Sequence, residues 1–542
     1  MATTSHKAKD RRRDGLQPAA DPLSRPQLVW MRGRWRSPPW RYDMDRRFAL
    51  ATLLATMVSA THGTAFADLL RITGFTPASG AVGTTVVISG GGMSRVNAVA
   101  FAGVGASFRV DSARQVTATV PNGAATGRIT VSRPGSTVTS ATDFTITTPP
   151  ESAPWSSWQH DAQHTGRTGA IGPAGGSVTR KWVYKAVNWI KNAPSIGPDG
   201  TVYIGDSKFP LCALSGASGA LLWCTDVGGY VNQSSPAIGN PFVKTDAAGT
   251  RTVQTIYIGE RNNVLWAIDD EGDTVWSFKI ALDGDVRASP VIGPPPANRV
   301  YMMCGCTTRG VLHAFKPGGT LAWVVNLPQV REASPAAIER GGVLRLYVIT
   351  NNGELIAIDE LGTRGEIAWT LPLGAKSSLS SPSIGPDGTI YVGTEIGLFA
   401  VRDDGTAARV KPGWPFATAG NVDTTAAIAG GKVYVSSFRT GTRRLYAIDA
   451  AASPPVQLWS VSGSGSSSTS FAQTPSAVIG GNGLVYAAIG SDVYAYDPAS
   501  ANPATARWHH DLPADAISLT LGEGVLYVSA KDSRLYALVS TP

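Results

Sequence analysis

The amino-acid sequence predicts an all-β protein, in which an Ig-like sandwich is followed by an eight-bladed β-propeller whose last blade is closed by an N-terminal strand. The 542 residues include 60 glycines and 36 prolines but only 16% charged residues, which is typical of short strands joined by many turns. Short β-branched runs fill residues 68–147, and one strand pattern recurs through residues 180–542. The chain is also longer than one hydrophobic core usually supports.

The N-terminal part of the chain predicts export. Residues 44–67 begin with Met-Asp-Arg-Arg, continue with about 13 apolar residues and end with Ala65 and Ala67 two positions apart. A basic start, a short apolar stretch and a small-x-small ending are the features of a signal peptide, which we expect to be cleaved after Ala67. The apolar stretch is too short to cross a bilayer, and no run of about 18 apolar residues exists elsewhere in the sequence.

Residues 1–43 are predicted to be either a disordered basic leader or a stretch upstream of the true start codon. They hold ten Lys and Arg residues and four Asp residues, so they carry most of the formal net charge of +8. Because the rest of the chain is nearly neutral, the basic balance does not indicate nucleic-acid binding.

No cysteine stands at the cleavage site, so we expect no lipid anchor and a periplasmic or extracellular location.

Residues 68–147 predict a small sandwich. Four β-branched runs, at 85–88, 98–101, 115–120 and 128–131, alternate with glycine turns, and six or seven strands fit into about 80 residues. The sequence here resembles the IPT/TIG family. The matching positions are Ile72, Phe75, Pro77, Gly80, Gly83, Thr84, Ile88, Gly90, Val99, Phe101, Val120, Pro121, Gly123, Gly127 and Phe144. The resemblance implies an Ig-like spacer or adhesive module; relatives in DNA-binding factors are a poor analogy for an exported chain.

Residues 148–179 are predicted to be a linker followed by a lead-in segment. Two adjacent prolines stiffen the linker. The lead-in segment carries His160 and His164, four residues apart, which could bind one metal ion if the segment were helical. The alternative is a packed entry loop.

Residues 180–542 contain a repeat of about 47 residues. Each copy has an inner segment such as Ser-Pro-Ala-Ile at 235–238, a strand carrying a tyrosine, a third strand and a closing tryptophan. The tyrosines are Tyr203, Tyr257, Tyr301, Tyr347, Tyr391, Tyr434, Tyr486 and Tyr527, and the tryptophans are Trp182, Trp223, Trp276, Trp323, Trp369, Trp414, Trp459 and Trp508. Four strands in about 45 residues make one propeller blade. The last copy lacks a tryptophan and an outer strand, so the strand around Trp182 is predicted to complete it. Trp414, in Gly-Trp-Pro-Phe, marks the least typical copy.

These copies resemble the quinoprotein (PQQ-type) propeller repeat, in which a tryptophan of each blade packs on the next blade beside an alanine and a glycine. Ala213, Gly219 and Trp223 approach this pattern. Asp161 and Gly166 lie in a segment similar to the lead-in of such propellers, which favours the packed entry loop over a metal site.

The resemblance implies PQQ, Ca²⁺ and a catalytic carboxylate only if the protein is a dehydrogenase. The adjacent cysteines common near the cofactor of such enzymes are not matched, because Gly305 separates Cys304 from Cys306, and no Cys-x-x-Cys-His motif for a c-type haem exists. We therefore predict no catalytic residue, no metal site and no cofactor, and keep PQQ with Ca²⁺ for the alternative interpretation alone.

Cys212 and Cys224 are candidates for a disulfide in an exported chain. A hairpin turning at their midpoint, residue 218, would place them side by side. A bond between Cys304 and Cys306, across one residue, would be strained.

The pseudo-symmetry of the repeat predicts a polar funnel at one mouth of the channel, because equivalent positions of successive blades form a ring. Candidate ligand-binding residues near the position three before each inner proline are Lys191, Gln233, Arg287, Arg331, Glu332, Lys376 and Asp423. Such a mouth could hold a peptide, a glycan or an anionic small molecule. The opposing interpretation is that loops are polar in any case.

Three functions are compatible with this sequence. The first is an exported, non-catalytic binding protein whose propeller presents a rigid face to a protein or polysaccharide of the cell surface or envelope. The second is a PQQ-dependent dehydrogenase of alcohols or sugars. The third is an envelope-assembly scaffold.

Overall fold

The computed structural model describes residues 69–146, 155–464 and 475–541. Short gaps within these ranges are 81–83, 107, 122–125, 209–210, 227, 229–230, 232, 248, 281–283, 295–296, 307–308, 331, 378 and 440. The predicted leader and signal peptide lie outside the described residues, as does most of the predicted linker. The described chain is all-β, and it contains no helix long and apolar enough to span a membrane.

The N-terminal unit consists of two sheets around one core. Its strands are β1 (Arg71–Thr76), β2 (Ser79–Gly80), β3 (Thr85–Gly91), β4 (Ala98–Phe101), β5 (Val104–Gly105), β6 (Phe108–Ser112), β7 (Gln115–Thr119), β8 (Gly127–Arg133) and β9 (Ser136–Ile146). The sheet orders are β1-β3-β7-β6 and β2-β9-β8-β4-β5. Phe144 packs at 6.1 Å from Phe75 and 5.2 Å from Phe101, measured between ring centroids. The described unit has more strands than the six or seven predicted, since β2 and β5 are only two residues long and leave no hydrophobic run.

From residue 178 onward, the described chain forms eight successive antiparallel sheets and one additional hairpin. The first four sheets contain β11 (Ser195–Ile196), β12 (Val202–Ile204), β13 (Leu211–Leu214) and β14 (Leu221–Thr225); then β15 (Ala237–Ile238), β18 (Thr255–Glu260), β19 (Val264–Asp269) and β20 (Thr274–Lys279); then β21 (Gly284–Asp285), β22 (Val291–Ile292), β23 (Val300–Cys306), β24 (Gly310–Phe315) and β25 (Leu321–Leu327); then β26 (Ala336–Arg340), β27 (Val343–Ile349), β28 (Glu354–Glu360) and β29 (Gly365–Pro372). The hairpin, β16 (Phe242–Asp246) with β17 (Gly249–Val253), is inserted in the second sheet.

The remaining four sheets follow the same strand order. They contain β30 (Ser383–Ile384), β31 (Ile390–Thr394), β32 (Gly397–Asp403), β33 (Ala408–Val410) and β34 (Phe416–Ala417); then β35 (Ala427–Ala429), β36 (Lys432–Arg439), β37 (Thr442–Asp449) and β38 (Val456–Ser464); then β39 (Val478–Ile479), β40 (Val485–Ile489), β41 (Asp492–Tyr496) and β42 (Ala506–Asp511); and finally β43 (Ala516–Gly522), β44 (Val525–Ala530), β45 (Arg534–Ser540) and β10 (Val178–Lys185). Consecutive four-stranded sheets of this kind form a β-propeller.

The eighth sheet joins the two ends of the propeller chain. Strand β10 pairs antiparallel with β45, with Val178 opposite Ser540 and Lys185 opposite Arg534. Trp182 of β10 and Tyr527 of β44 belong to one buried cluster, with ring centroids 5.6 Å apart. The edge strand predicted to be missing from the last copy is therefore supplied by β10, which begins two residues before the predicted boundary.

A chain of hydroxyl groups links the first strands of successive sheets. From the second sheet to the seventh, the residue before the inner proline, or its equivalent, accepts a hydrogen bond through its hydroxyl from a backbone N–H of the preceding sheet. The donor–acceptor pairs are Ala193–Ser235, Ser235–Ser289, Ser289–Ser334, Ser334–Ser381, Ser381–Thr425 and Thr425–Ser476, at 2.8–3.3 Å. Thr520 of the eighth sheet donates its hydroxyl to the Pro194 carbonyl at 2.8 Å, and this bond joins the last sheet to the first. The Ser-Pro pairs of the repeat thus connect neighbouring sheets.

Four of the repeat tryptophans pack beside a glycine of the following sheet; they are Trp182, Trp223, Trp276 and Trp323. The indole N–H of Trp276 donates to the Pro317 carbonyl at 2.8 Å, and a Cβ on Gly319 would lie 2.7 Å from the same ring. Gly319 has φ of +84°, so the turn needs glycine for its conformation as well as for space. Trp414, in the least typical copy, keeps this position: it is buried and lies 5.7 Å from Tyr391, although the outer strand is split into β33 and β34.

Candidate functional site

The direction of the strands defines one functional face. In an antiparallel sheet, successive strands reverse, so the loop before the first strand and the turn between the second and third strands lie at the same end. We call this end of the propeller the mouth face. The backbone confirms the geometry, since Lys376, before β30, and Glu395, after β31, exchange contacts: the Glu395 N–H donates to the Lys376 carbonyl at 3.0 Å.

The lead-in segment, residues 155–171, lies across the opposite end of the channel. Its carbonyl groups accept backbone N–H bonds from most of the sheets, and the donor–acceptor pairs are Ile196–Trp155, Ile238–Ser156, Ala337–Ala162, Ile384–Gln163, Ile428–Thr165, Ile479–Gly166, Gly481–Ala170 and Gly524–Ile171, at 2.7–2.9 Å. Several of these donors end the first strands that begin at the mouth face. The segment therefore lies across the end of the channel that is opposite the mouth face.

His160 and His164 belong to this lead-in segment and not to a helix. His164 is fully buried, and its Nδ1 lies 2.9 Å from the Pro382 carbonyl oxygen. Burial lowers the pKa of His164 to about 4, so the ring is neutral at physiological pH. The packed entry loop is what the described residues form.

Three of the predicted funnel residues contact one another at the mouth. The Arg287 guanidinium donates to Glu332 at 2.9 Å, and the Gln233 amide donates to the other carboxylate oxygen of Glu332 at 3.1 Å. Arg287 and Gln233 are buried, and the Glu332 side chain is nearly so. Residues from the second, third and fourth sheets thus meet around one carboxylate.

Two further cations lie near this group of side chains. Lys191 is half-buried; its burial, followed by the nearby charges of Arg261 and Arg287, lowers its pKa, and Glu332 opposes that shift. The ammonium also lies 4.7 Å from the ring centroid of the exposed Trp189. Lys191, Arg261, Arg287 and Glu332 thus form one charged group at this side of the mouth.

The other predicted funnel residues lie apart from this group. Lys376 is exposed beside Glu395, and Asp423 is partly buried before β35. Arg331 lies outside the described residues. Sequence reasoning missed Glu395 and Arg439, which with Asn421 and Phe438 line a cavity of about 460 Å³ between the fifth and sixth sheets. The turns between second and third strands occur at the same repeat interval as the loops that were considered, so the repeat itself contained the missing signal.

A second charged group at the mouth face was also missed. Arg443 is the second residue of β37 and is buried, and its guanidinium lies 3.7 Å from Asp515. Lys531, in the turn after β44, donates to the same carboxylate at 3.0 Å. Two cations again share one carboxylate.

The acidic turn at residues 269–273 lies at the end of the propeller away from the mouth. Asp269, Glu271 and Asp273 form the only group of three potential metal-binding side chains within the described residues. Lys244 of the inserted hairpin donates to all three, at 2.6, 3.1 and 2.7 Å respectively. Its ammonium occupies the place where a cation would bind.

Two cysteines form a disulfide in the first sheet. Cys212 of β13 and Cys224 of β14 are direct cross-strand partners and are bonded, as a hairpin turning near residue 218 requires. The Cys304 thiol is buried, with Sγ 3.8 Å from Asn263 Oδ1. The side chain of Cys306 lies outside the described part of the structure.

Within the described residues, the fold and site define a repeat propeller with a lead-in segment across one end and charged side chains at the mouth face. The chain belongs to the PQQ_2 family, described as outer membrane protein assembly factor BamB, whose model matches residues 157–411 and 351–515. Together these ranges cover more than half of the chain. No curated protein sequence matches it.

Solved structures share the propeller at low sequence identity. Quinohemoprotein alcohol dehydrogenase from Comamonas testosteroni has a TM-score of 0.51 and 13% identity, over 72% of this chain and 81% of that one. The Dos1 propeller has a TM-score of 0.51 and 12% identity, over 68% and 96%. BamB from Moraxella catarrhalis has a TM-score of 0.48 and 14% identity, over 67% and 100%. At such identities the likeness of the first two concerns the fold alone.

Proposed function

We propose that the protein is an exported, non-catalytic binding protein whose mouth face holds a partner. In this proposal the eight sheets are eight blades of one closed ring, and residues 69–146 are an IPT/TIG module that acts as spacer or adhesin. The observation that carries the proposal is the lead-in segment, which lies across one end of the channel. The charged mouth face is at the other end. A charged mouth face on a rigid ring favours binding of a partner over passage of molecules through the channel.

The side chains of the mouth fit a dehydrogenase less well. PQQ with Ca²⁺ would need a carboxylate available to the cation, but both Glu332 oxygens accept hydrogen bonds from Arg287 and Gln233. The three-carboxylate group of the described residues lies at the other end of the propeller and binds Lys244. Glu332 is therefore engaged by protein donors, which disfavours it as a calcium ligand; a calcium-assisted oxidation is the competing interpretation.

The partner in this proposal is an envelope protein rather than a polysaccharide. The support comes from the family, whose description names outer membrane protein assembly, and from the signal-peptide features of residues 44–67. This choice brings the binding role close to the assembly-scaffold alternative.

Site-specific photo-crosslinking in the native host tests the proposal. A photoreactive residue at Lys376 or Arg261, both exposed on the mouth face, should form adducts with an envelope protein. The same residue at Lys316 or Thr363, exposed in turns at the opposite end, is the matched control and should form none. Absence of adducts from the mouth, or equal adducts from both ends, contradicts the assignment of this face.

Two further measurements separate binding from catalysis. Replacing Arg287, Glu332 and Asp423 together by alanine should abolish the mouth-face adducts while the purified protein stays folded. PQQ with Ca²⁺ and a redox dye, offered with a panel of alcohols and sugars, should give no dye reduction. Dye reduction that the triple replacement removes would establish the dehydrogenase instead.

A further inference from the structure

Arg443 is a buried arginine without a hydrogen-bond partner among the described residues. Its side chain is 1% exposed, and none of its three guanidinium nitrogen atoms donates a hydrogen bond within the described part of the chain. Buried arginine is rare unless it is paired, since the charge loses its hydration without compensation. The guanidinium also stays protonated under all ordinary conditions, so it cannot escape this cost by losing its proton.

The nearest carboxylate gives Arg443 a charge interaction but no hydrogen bond. Asp515 lies 3.7 Å away, beyond hydrogen-bond distance, and its carboxylate accepts a hydrogen bond from Lys531 at 3.0 Å. The hydrogen-bonding capacity of the buried guanidinium is therefore unused within the described part of the chain.

The surroundings of Arg443 lie between the sixth and seventh sheets. Leu445 is two residues further along β37 and therefore points to the same side; it packs with Val485 and Ile489 of the seventh sheet. Phe438, opposite Arg443 in the register, has its ring centroid 5.9 Å from the guanidinium carbon. Arg443 thus lies near the mouth end of β37, on the face of the sixth sheet that packs on the seventh.

Ser436 is a second polar group on the same face of the sixth sheet. Ser436 is two residues from Phe438 on β36, so both side chains occupy one side of the strand. Its hydroxyl is buried and, among the described residues, has no hydrogen-bond partner. A guanidinium and a hydroxyl on the same side of two paired strands, both unsatisfied, are a donor pair that suits an acceptor of negative charge.

We propose that Arg443 anchors a bound oxyanion, a carboxylate or a phosphate, between the sixth and seventh sheets at the mouth face, with Ser436 as an additional donor. The planar guanidinium presents parallel N–H groups that match either oxyanion. The site does not depend on the proposed function, because a small anion can occupy it whether or not a protein binds the mouth.

Thermal unfolding of the full exported chain tests the site. The probes are sodium phosphate, sodium acetate and a triglutamate peptide, each against sodium chloride at equal ionic strength and pH 7. We expect the melting temperature of the unmodified protein to rise with the logarithm of the concentration of at least one probe. Preference for phosphate or for the carboxylates identifies the source of the oxyanion.

Two arginine variants provide the control. Arg443→Met should weaken binding of the effective anion at least tenfold. The variant should fold without the anion, because methionine replaces a buried guanidinium that makes no hydrogen bond within the described part of the chain. Arg444→Met changes the adjacent arginine, which lies on the other side of β37 and bonds to Ser462 at 2.7 Å; it should respond to the anion as the unmodified protein does. Equal melting temperatures of the unmodified protein in all salts would overturn the site, and so would an equal loss in both variants.

Discussion

Single residues connect neighbouring sheets through buried charge. Arg345 of β27 donates to Asp403 at 2.8 Å and to Asp359 at 2.6 Å, and the Tyr347 hydroxyl donates to Asp403 at 2.8 Å. Burial raises the pKa of Asp403, but the hydrogen bonds from Arg345, the Gly405 backbone and Tyr347 together outweigh burial and hold that pKa below its usual value. The fourth and fifth sheets are therefore joined by an ionised carboxylate.

Asp403→Ala is predicted to destabilise the propeller by about 3 kcal/mol, near the lower end of the range for breaking a buried ion pair, because Asp359 still pairs with Arg345. Asp404→Ala is the control: this neighbour pairs with Arg402 and Arg409 at the surface, and its loss should cost less than about 1 kcal/mol. Urea unfolding of both variants measures the difference. Equal costs would mean that the buried pair is not stabilising.

At this scale the sequence predicted contacts that follow from the repeat and missed those that depend on side-chain reach. Gln233, Arg287 and Glu332 meet because they occupy one offset from the first strand in three successive sheets. Arg443 and Asp515 come from different loops of the sixth and eighth sheets, and no periodic position relates them. Only the path of the backbone brings them together.

Among the structural elements, the turn between the third and fourth strands packs against the tryptophan of the preceding sheet. Gly319→Ala is predicted to destabilise by roughly 2–4 kcal/mol, because the added methyl group meets Trp276 and the turn has positive φ. Gly318→Ala is a control in the same turn, where a Cβ meets no atom within 4 Å; it should change stability by less than about 0.5 kcal/mol. Urea unfolding measures the free energy of unfolding of both variants. A similar loss in both would contradict a role for Gly319 in packing against the indole.

The lead-in segment should make stability depend on pH through His164. Its folded pKa of about 4 is below the unfolded value of about 6.5. The unfolded chain therefore takes up a proton first as the pH falls. The free energy of unfolding should decrease by roughly 3 kcal/mol between about pH 6.5 and about pH 4. His164→Asn, which tolerates the positive φ of 56°, should remove this share of the pH dependence. Unfolding measured from pH 7 to 4 tests it, and parallel profiles would contradict it.

Elements with a hydrophobic period were predictable, and those without one were not. The tyrosine and tryptophan strands follow the repeat, and the long interval between Trp223 and Trp276 is explained by the inserted hairpin β16–β17. The path of residues 155–171 across the propeller has no hydrophobic period in the sequence. The segment is held through its backbone carbonyl groups, and these are the same in every sequence. Its position across one end of the channel therefore required the structure.

For the whole molecule, the ends of the propeller chain were predictable because a sheet edge must be covered. The last copy lacks an outer strand, and exposed edges favour aggregation; β10 was therefore expected beside β45, where it lies. Export and the identity of the partner depend on residues and molecules beyond the described chain, so these remain proposals.

Removing residues 534–542 is predicted to unfold the propeller and not merely its last sheet. Leu535, Tyr536 and Leu538 are fully buried in one cluster with Trp182, and each contributes roughly 1.5–3 kcal/mol. Their joint loss approaches the entire stability of a typical domain, about 5–15 kcal/mol, and it leaves β10 and β44 as exposed edges. Replacing the hairpin of residues 242–253 by a short glycine turn removes a similar length outside the ring, and this variant should still unfold in one cooperative transition. Scanning calorimetry compares the two variants. A truncated chain that keeps the transition of the intact protein would show that the ring does not depend on the junction of its two ends.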